Sequence, residues 1–453
     1  MSGPDSYTDN VWKHTKGNVN KKLERARPYN FFLTPVDANK STHTEALTLS
    51  FPELLDKSLG ELTDSMHINF AVELGWLFAQ YHITDQRGKP ITLLYEHCDQ
   101  DINALQAKRK IPNLHHAIVK PKNAFGHHHT KLSIFSYNDG SIRIVVMTAN
   151  LREADWLNLT QGIWVSPKFP LKDKNSKSDG DSKTGFKKDI LRYLRSYNLP
   201  LIRQWIQKIE ETDFSEANVF FISSVPGKYY EPIWGQSYLK SILKTHVCLS
   251  SGTPSDWPII AQCSSLGSMG KSDRDWLTTE FVKNLSASTH IDRTTNNVPF
   301  NLIYPTIQNV IDSWDGPLGA LTCLPYTSMV HKNQTWLEKY MCKWVSNSRK
   351  RTKAIPHIKT YCRVSQDCTE MSWFLLTSAN LSKAAWGKKT LSDQSDYILS
   401  YEAGVLFVPQ FLTGCDTFSL NHNQHNFKSP AFSLPFDLPL LSYYKNDQPW
   451  VSD

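Results

Sequence analysis

Apolar and polar positions divide the chain into stretches of different period. Residues 1–28 are polar, and Lys13 to Arg27 add basic charge ahead of the first apolar pattern; this segment is expected to be a flexible basic tail. From Phe31 onward, stretches with helical spacing such as INFAVELGWLFAQY alternate with short apolar runs such as ITLLYE, a mixed α/β pattern. Residues 172–188, DKNSKSDGDSKTGFKK in essence, are almost free of apolar side chains and predict an exposed loop inserted within a domain. The following DILRYLRSYNLPLIRQWIQKIEE is helical in period, and NVFFISSVPG reads as a buried strand and a turn. These shifts place an N-terminal domain over 29–213 and a C-terminal domain over 214–453.

The most informative pattern is an internal repeat. ANLREADW begins at Ala149 and ANLSKAAW at Ala379, so Asn150/Asn380, Leu151/Leu381, Ala154/Ala384 and Trp156/Trp386 match at one spacing. A His-x-Lys lies upstream of each: His129 and Lys131 before Asn150, His357 and Lys359 before Asn380. An apolar run, SIRIVVM or MSWFLL, leads into each Asn. In the first copy LSIFSY and SIRIVVM flank Asn138, Asp139 and Gly140, a hairpin turn. Period-2 geometry puts His129 and Lys131 on one face of a strand, with Asn150 at the end of its partner beside a helix start. The matching Leu, Ala and Trp are expected to pack in the core. Two such units suggest pseudo-twofold symmetry, with both His-Lys-Asn sets meeting at the domain interface, where ligand sites tend to form.

Two imidazoles, two ammonium groups and two carboxamides suit phosphodiester cleavage without metal. One histidine attacks phosphorus, the other protonates the leaving oxygen and then activates water, and Lys and Asn hold the non-bridging oxygens. The run His127, His128, His129 does not read as a metal site, because neighbours on a strand face opposite ways. No cofactor is called for.

Composition narrows the setting. The 453 residues exceed the usual limit of one hydrophobic core, and 14 Trp, 18 Tyr and 21 Phe supply ample burial. Fifty Lys and Arg against 43 Asp and Glu give a net charge of +7, compatible with a polyanionic partner. The eight cysteines show no CxxC pair and are expected to be reduced, intracellular thiols. The N-terminus lacks a secretory pattern and no apolar run is long enough to span a membrane.

HHHTKLSIF with TAN, and PHIKTY with TSANLSKAAWG, resemble the paired motifs of the phospholipase D superfamily, specifically its tyrosyl-DNA phosphodiesterase branch. The general superfamily pattern carries an Asp five residues after the Lys. Here Ser136 and Val364 stand there, a departure that branch shares. RPYNFFLT, TQGIW, the stretch from Gln262 to Gly270 and SYEAGVLF extend the resemblance over nearly the whole chain from Pro28.

The resemblance implies two α-β-α sandwich domains related by pseudo-twofold symmetry. It implies hydrolysis of 3′-phosphotyrosyl DNA left by stalled type IB topoisomerase, and of other 3′ blocking groups, through a phosphohistidine. His129 would be the nucleophile and His357 the general acid/base, with Lys131, Lys359, Asn150 and Asn380 on the phosphate. Gln161 and Glu402 match residues that support the histidines, with the pairing left open. Phe125 matches an aromatic on which a base stacks. Ser264, Ser265, Gly267 and Ser268 offer hydroxyls and open amides to phosphates. Arg349, Lys350, Arg351 and Lys353, just before His357, are expected to contact the DNA backbone. The partner would be DNA with a 3′ adduct, acted on by a monomer without a membrane, and the nucleus follows from that substrate. The alternatives are another phospholipase D-type phosphodiesterase and a non-catalytic DNA-binding relative.

Overall fold

The computed structural model describes residues 12–108, 111–173, 175–249, 256–289, 298–421 and 430–453. The chain forms two compact units, Met1–Phe221 and Ile222–Asp453, so the division falls somewhat beyond Asp213.

The first unit begins with a correction. Over its described part, the segment expected to be a flexible tail carries a helix, α1 (Val19–Arg25), whose Val19 and Leu23 are buried in the core with Ala26. Trp12 is buried too, and its Nε1 donates to Asp56 Oδ2 at 3.3 Å. Residues four apart share one helix face; an inward Val19/Leu23 pair was hidden among basic residues, of which Lys21 and Arg25 are exposed while Lys22 turns in to buried Glu53 at 2.7 Å.

A seven-stranded sheet follows, built from β1 (Phe31–Leu33), β2 (Leu62–Val72), β3 (Ile91–Cys98), β4 (Leu114–Ile118), β5 (Leu132–Tyr137), β6 (Ile142–Met147) and β7 (Gly162–Val165) in the order β1-β7-β6-β5-β2-β3-β4. The pairs β2/β3 and β3/β4 are parallel, and the remaining neighbours antiparallel. The expected hairpin is present: β5 pairs with β6, and Gly140 closes the turn at φ 78° by donating its N–H to Tyr137 O at 2.9 Å. INFAVELGWLFAQY, however, is not one helix. Ile68 to Val72 complete β2, and α2 (Leu74–Ile83) starts after Glu73, its first amide capped by Asp99 Oδ1 at 2.9 Å. An apolar strand that runs straight into an apolar helix has no periodic signature of its own.

The unit also holds the helices α3 (Glu153–Leu157), α4 (Phe186–Ser196) and α5 (Arg203–Glu210), besides short helices over Phe51–Leu54 and Ile102–Lys108. The segment 172–188 is only partly the exposed loop expected. Asp181 carboxylate oxygens accept from the amides of Lys187 and Lys188 at 2.8 and 3.0 Å. Lys187 is buried, its Nζ donating to the carbonyls of Asp179, Glu210 and Thr212 at 2.6, 2.9 and 2.8 Å. Carbonyl capping of a lysine gives a polar sequence an ordered end.

The second unit holds an eight-stranded sheet of β8 (Phe220–Ser224), which spans the division, β10 (Ile259–Gln262), β11 (Phe300–Ile303), β12 (Met341–Cys342), β13 (Thr360–Val364), β14 (Glu370–Thr377), β17 (Glu402–Phe407) and β18 (Phe418–Ser419). Its order is β12-β11-β10-β13-β14-β17-β8, with β18 beside β14. A small sheet joins β9 (Gly227–Tyr229), β15 (Lys388–Lys389) and β16 (Asp396–Ile398). The helix α6 (Gly235–His246) packs with the rest, and α7 (Lys383–Trp386) follows Asn380 as α3 follows Asn150. The hairpin β13/β14 thus repeats β5/β6. Leu151, Trp156, Leu381 and Trp386 are core residues, but Ala154 is exposed; a small side chain there only permits the short helix. All eight cysteines are free thiols, and no described helix is long and apolar enough to cross a membrane.

Candidate active site

In the first unit, sheet register gathers the predicted residues at one end. Leu132, the first residue of β5, pairs with Ile68 and Val146, and Met147 at the end of β6 pairs with Ile163 of β7. His129 and Lys131 therefore lead into β5, Asn150 follows β6, and Gln161 immediately precedes β7. The histidine and lysine precede the strand rather than lie in it, yet alternation persists. His129 packs against the Phe70 ring (5.3 Å between centroids), and Lys131 Nζ lies 5.2 Å from the same ring. Lys131 also folds back to donate to the His129 carbonyl at 2.8 Å.

The alternate residues turn the other way and were not foreseen as part of the site. His128 Nε2 hydrogen-bonds with Tyr197 Oη at 2.9 Å, Tyr197 with Tyr193 at 2.6 Å, and Tyr193 with Thr130 Oγ1 at 2.5 Å. This chain of hydroxyls from α4 and its C-terminal end grips the residues on both sides of His129. Burial pushes the His128 imidazole down to about 3, so it is neutral. Glu96 accepts from the His128 amide and pairs with exposed His127 at 3.1 Å. Burial pushes its pKa up, but these hydrogen bonds outweigh that and the pKa ends up lowered.

Asn150 is buried and held by Asp155, whose Oδ2 accepts from the Asn150 amide at 2.9 Å and from Nδ2 at 3.0 Å. Gln161 is buried beside it, with Nε2 donating to Asp155 Oδ2 at 3.2 Å and Oε1 accepting from Thr148 Oγ1 at 2.8 Å. Asp155 escaped the sequence analysis; the signal was a polar mismatch inside the repeat, where the second copy has Ala385.

The second unit gathers its set in the same way. Gln262 of β10 pairs with Thr360 of β13, Thr360 with Leu376 of β14, and Thr377 with Gly404 of β17. Lys359 folds back onto the His357 carbonyl, as Lys131 does in the first unit, and its own carbonyl accepts from Thr377 N at 3.1 Å. In place of the polar anchors at His128 and Thr130 stand Pro356 and Ile358, both buried. Glu402 is buried and accepts from Ser378 Oγ. Gly404 makes this closeness possible: a Cβ there would lie 2.6 Å from Leu376 O.

Asn380 is oriented by the loop after β10. Its Oδ1 accepts from the amides of Ser264 and Ser265 at 3.1 and 3.0 Å and from Ser264 Oγ at 3.3 Å. The expectation of open amides there is corrected: these two serve Asn380, Gly267 N donates to Leu381 O at 3.0 Å, and Ser264 is buried. Half-buried Ser265 and exposed Ser268 keep hydroxyls at the surface. Arg351 is a second correction, being fully buried with Nη1 donating to Arg349 O at 2.5 Å. Its charge serves the turn that carries half-buried Arg349 and exposed Lys350 and Lys353. Phe125 is 79% exposed on a turn in which its amide donates to Asn123 Oδ1. The described residues contain no group of three or more His, Cys, Asp or Glu placed to hold a metal ion.

Two mixed α/β units, each with a His-x-Lys set at one sheet end and an Asn beyond the partner strand, define a phospholipase D-like phosphodiesterase fold. The comparisons with known proteins specify the branch. The tyrosyl-DNA phosphodiesterase family matches over residues 30–444. Tyrosyl-DNA phosphodiesterase 1 of Drosophila melanogaster is 42% identical over 97% of this chain and 76% of its own length. A probable tyrosyl-DNA phosphodiesterase of Caenorhabditis elegans is 30% identical over 100% of this chain and 94% of its own. The crystal structure of yeast tyrosyl-DNA phosphodiesterase shares the fold with a TM-score of 0.70 at 23% identity, covering 93% of this chain and 99% of that one. The chain belongs to the tyrosyl-DNA phosphodiesterase family.

Proposed function

We propose that this chain hydrolyses the bond between a DNA 3′ phosphate and a tyrosine by covalent histidine catalysis, and that it removes other 3′ blocking groups, terminal nucleosides included, in the same way. The observation that carries this reading is the duplicated set. Both lysines fold onto the carbonyl of the histidine two residues before, and both asparagines are held rigidly beyond the partner strand. A pure DNA binder has no use for two such imidazoles, and the names of the relatives agree with the reading.

In the first step a His129 nitrogen forms a bond to phosphorus as the phosphorus–oxygen bond to tyrosine breaks, and His357 gives the leaving phenolate a proton. In the second step His357 takes a proton from water, whose oxygen displaces His129 and leaves a 3′ phosphate. Lys131, Lys359, Asn150 and Asn380 offset the charge on the non-bridging oxygens, a task that metal performs in other phosphodiesterases. Gln161 and Glu402 support the two histidines. Phe125, Ser265, Ser268, Arg349, Lys350 and Lys353 are the surface groups proposed to meet DNA. Action as a monomer, and a nuclear location for DNA repair, follow from this substrate.

The test is incubation with 3′-phosphotyrosyl DNA, 5′-phosphotyrosyl DNA and phosphatidylcholine, all in chelator. Release of tyrosine from the 3′ substrate alone is expected. Turnover that vanishes in chelator and returns with zinc or magnesium, or cleavage of the lipid instead, would overturn the proposal.

A further inference from the structure

The two repeats differ where Asp155 in the first faces Ala385 in the second, and the two asparagines are turned opposite ways. An ionised carboxylate only accepts hydrogen bonds, and a backbone amide only donates. Asp155 Oδ2 therefore compels Asn150 to face it with nitrogen, at 3.0 Å; Gln161 Nε2 donates to the same oxygen at 3.2 Å, but the Asp155 backbone carbonyl, which accepts from it at 3.1 Å, already fixes that amide. The amides of Ser264 and Ser265 compel Asn380 to face them with oxygen. The carboxylate is itself fully buried, and Arg152 donates to its Oδ1 through Nη2 and Nε at 2.9 and 3.2 Å. With Asp155 in place, Asn150 keeps one N–H to give and a buried Oδ1 without a hydrogen-bond partner. Asn380 keeps both N–H groups.

We propose that Asp155 is a positioning residue of the reaction, fixing which end of the Asn150 amide the phosphate meets. This rests on the function proposed above. The carboxylate acts through the Asn150 amide, by removing its flipped state, in which a lone pair would replace the N–H. The two repeats then contribute unequal groups, one donor from Asn150 and two from Asn380.

Asp155→Asn tests this, since the new amide has the same shape but can face its neighbours with either end. On 3′-phosphotyrosyl DNA, kcat should fall by about 10²-fold with KM changed by less than about threefold, as for a misplaced catalytic contact. In a background already lacking that amide (Asn150→Ala), adding Asp155→Asn should change the single-turnover rate by less than about threefold, because nothing is left to orient. A multiplied loss in that background, or an unchanged kcat with a lowered melting temperature, would make Asp155 merely structural and overturn the proposal. Should Asp155→Asn not fold, Arg152→Ala loosens the same carboxylate from its more exposed side and must show the same kcat effect and the same disappearance. His129→Ala is assayed alongside: activity surviving there would mean that the histidine mechanism, not the role of Asp155, is what fails.

Discussion

A buried carboxamide has a donating and an accepting end, and its neighbours decide which end a ligand meets. That makes the two asparagines unequal in what an aspartate would do in their place. In Asn150→Asp a carboxylate oxygen would replace Nδ2, 3.0 Å from Asp155 Oδ2 inside the protein. Two buried carboxylates at that distance cannot both ionise without a large cost. The expected loss of folding stability is about 3 kcal/mol, the scale of an uncompensated buried charge. In Asn380→Asp the new carboxylate still accepts from Ser264 N and Ser265 N, so stability should stay within about 1 kcal/mol of the parent. The donor to phosphate is gone, and kcat should drop by about 10²–10³-fold. Denaturant melts and initial rates on both variants check this; equal destabilisation of the two would show that Asp155 does not set the orientation of Asn150.

At the scale of elements, the segment that leads into β5 is held from beneath by neutral imidazole and hydroxyl groups. His128 is tied to Tyr197, and His67 of β2 joins Ser133 of β5 to Tyr81 of α2 at 2.7 and 2.8 Å. Burial pushes both imidazoles down to about 3, whereas unfolding returns them to about 6.5. The unfolded chain therefore binds more protons between these values, and the contribution of these groups, complete above about pH 6.5, is lost as pH falls toward 3. Between pH 6.5 and 5, where most carboxylates do not yet titrate, each should contribute a slope of up to about 1.4 kcal/mol per pH unit. Denaturant midpoints across this window should fall less steeply in His67→Gln; an unaltered slope would mean that His67 is protonated in the fold. This network also marks what the sequence could disclose. The hairpin, the strand runs and the duplicated His-Lys-Asn set are local patterns and were legible. The tethering of His128 and Thr130 by α4 joins residues more than sixty positions apart, and the inward turn of Arg351 and Ser264 depends on packing. Neither leaves a periodic trace, and a basic run such as Arg349 to Lys353 reads alike whether its members face solvent or core.

Over the whole molecule, one sheet-end arrangement occurs twice, yet the surroundings of the two histidines differ. His129 follows a buried imidazole gripped by tyrosines, whereas His357 lies between buried Pro356 and Ile358. The proposed division of labour, His129 as nucleophile and His357 as acid and then base, can be separated by the leaving group. Tyrosine has a pKa of about 10, so its departure near neutral pH needs a proton, while a nitrophenol leaves readily as its anion. His357→Ala should therefore slow the first step strongly on the tyrosyl substrate and spare it on a 3′-nitrophenyl phosphodiester. Hydrolysis of the adduct still needs the base, so with the nitrophenyl substrate DNA should accumulate covalently on His129. His129→Ala should form no adduct with either substrate. The measurement is quenched gel and mass analysis of protein–DNA adducts in both variants. Nitrophenol release by His357→Ala without a His129 adduct would count against the assignment, because the two halves would then not divide the acid–base and nucleophilic work between them.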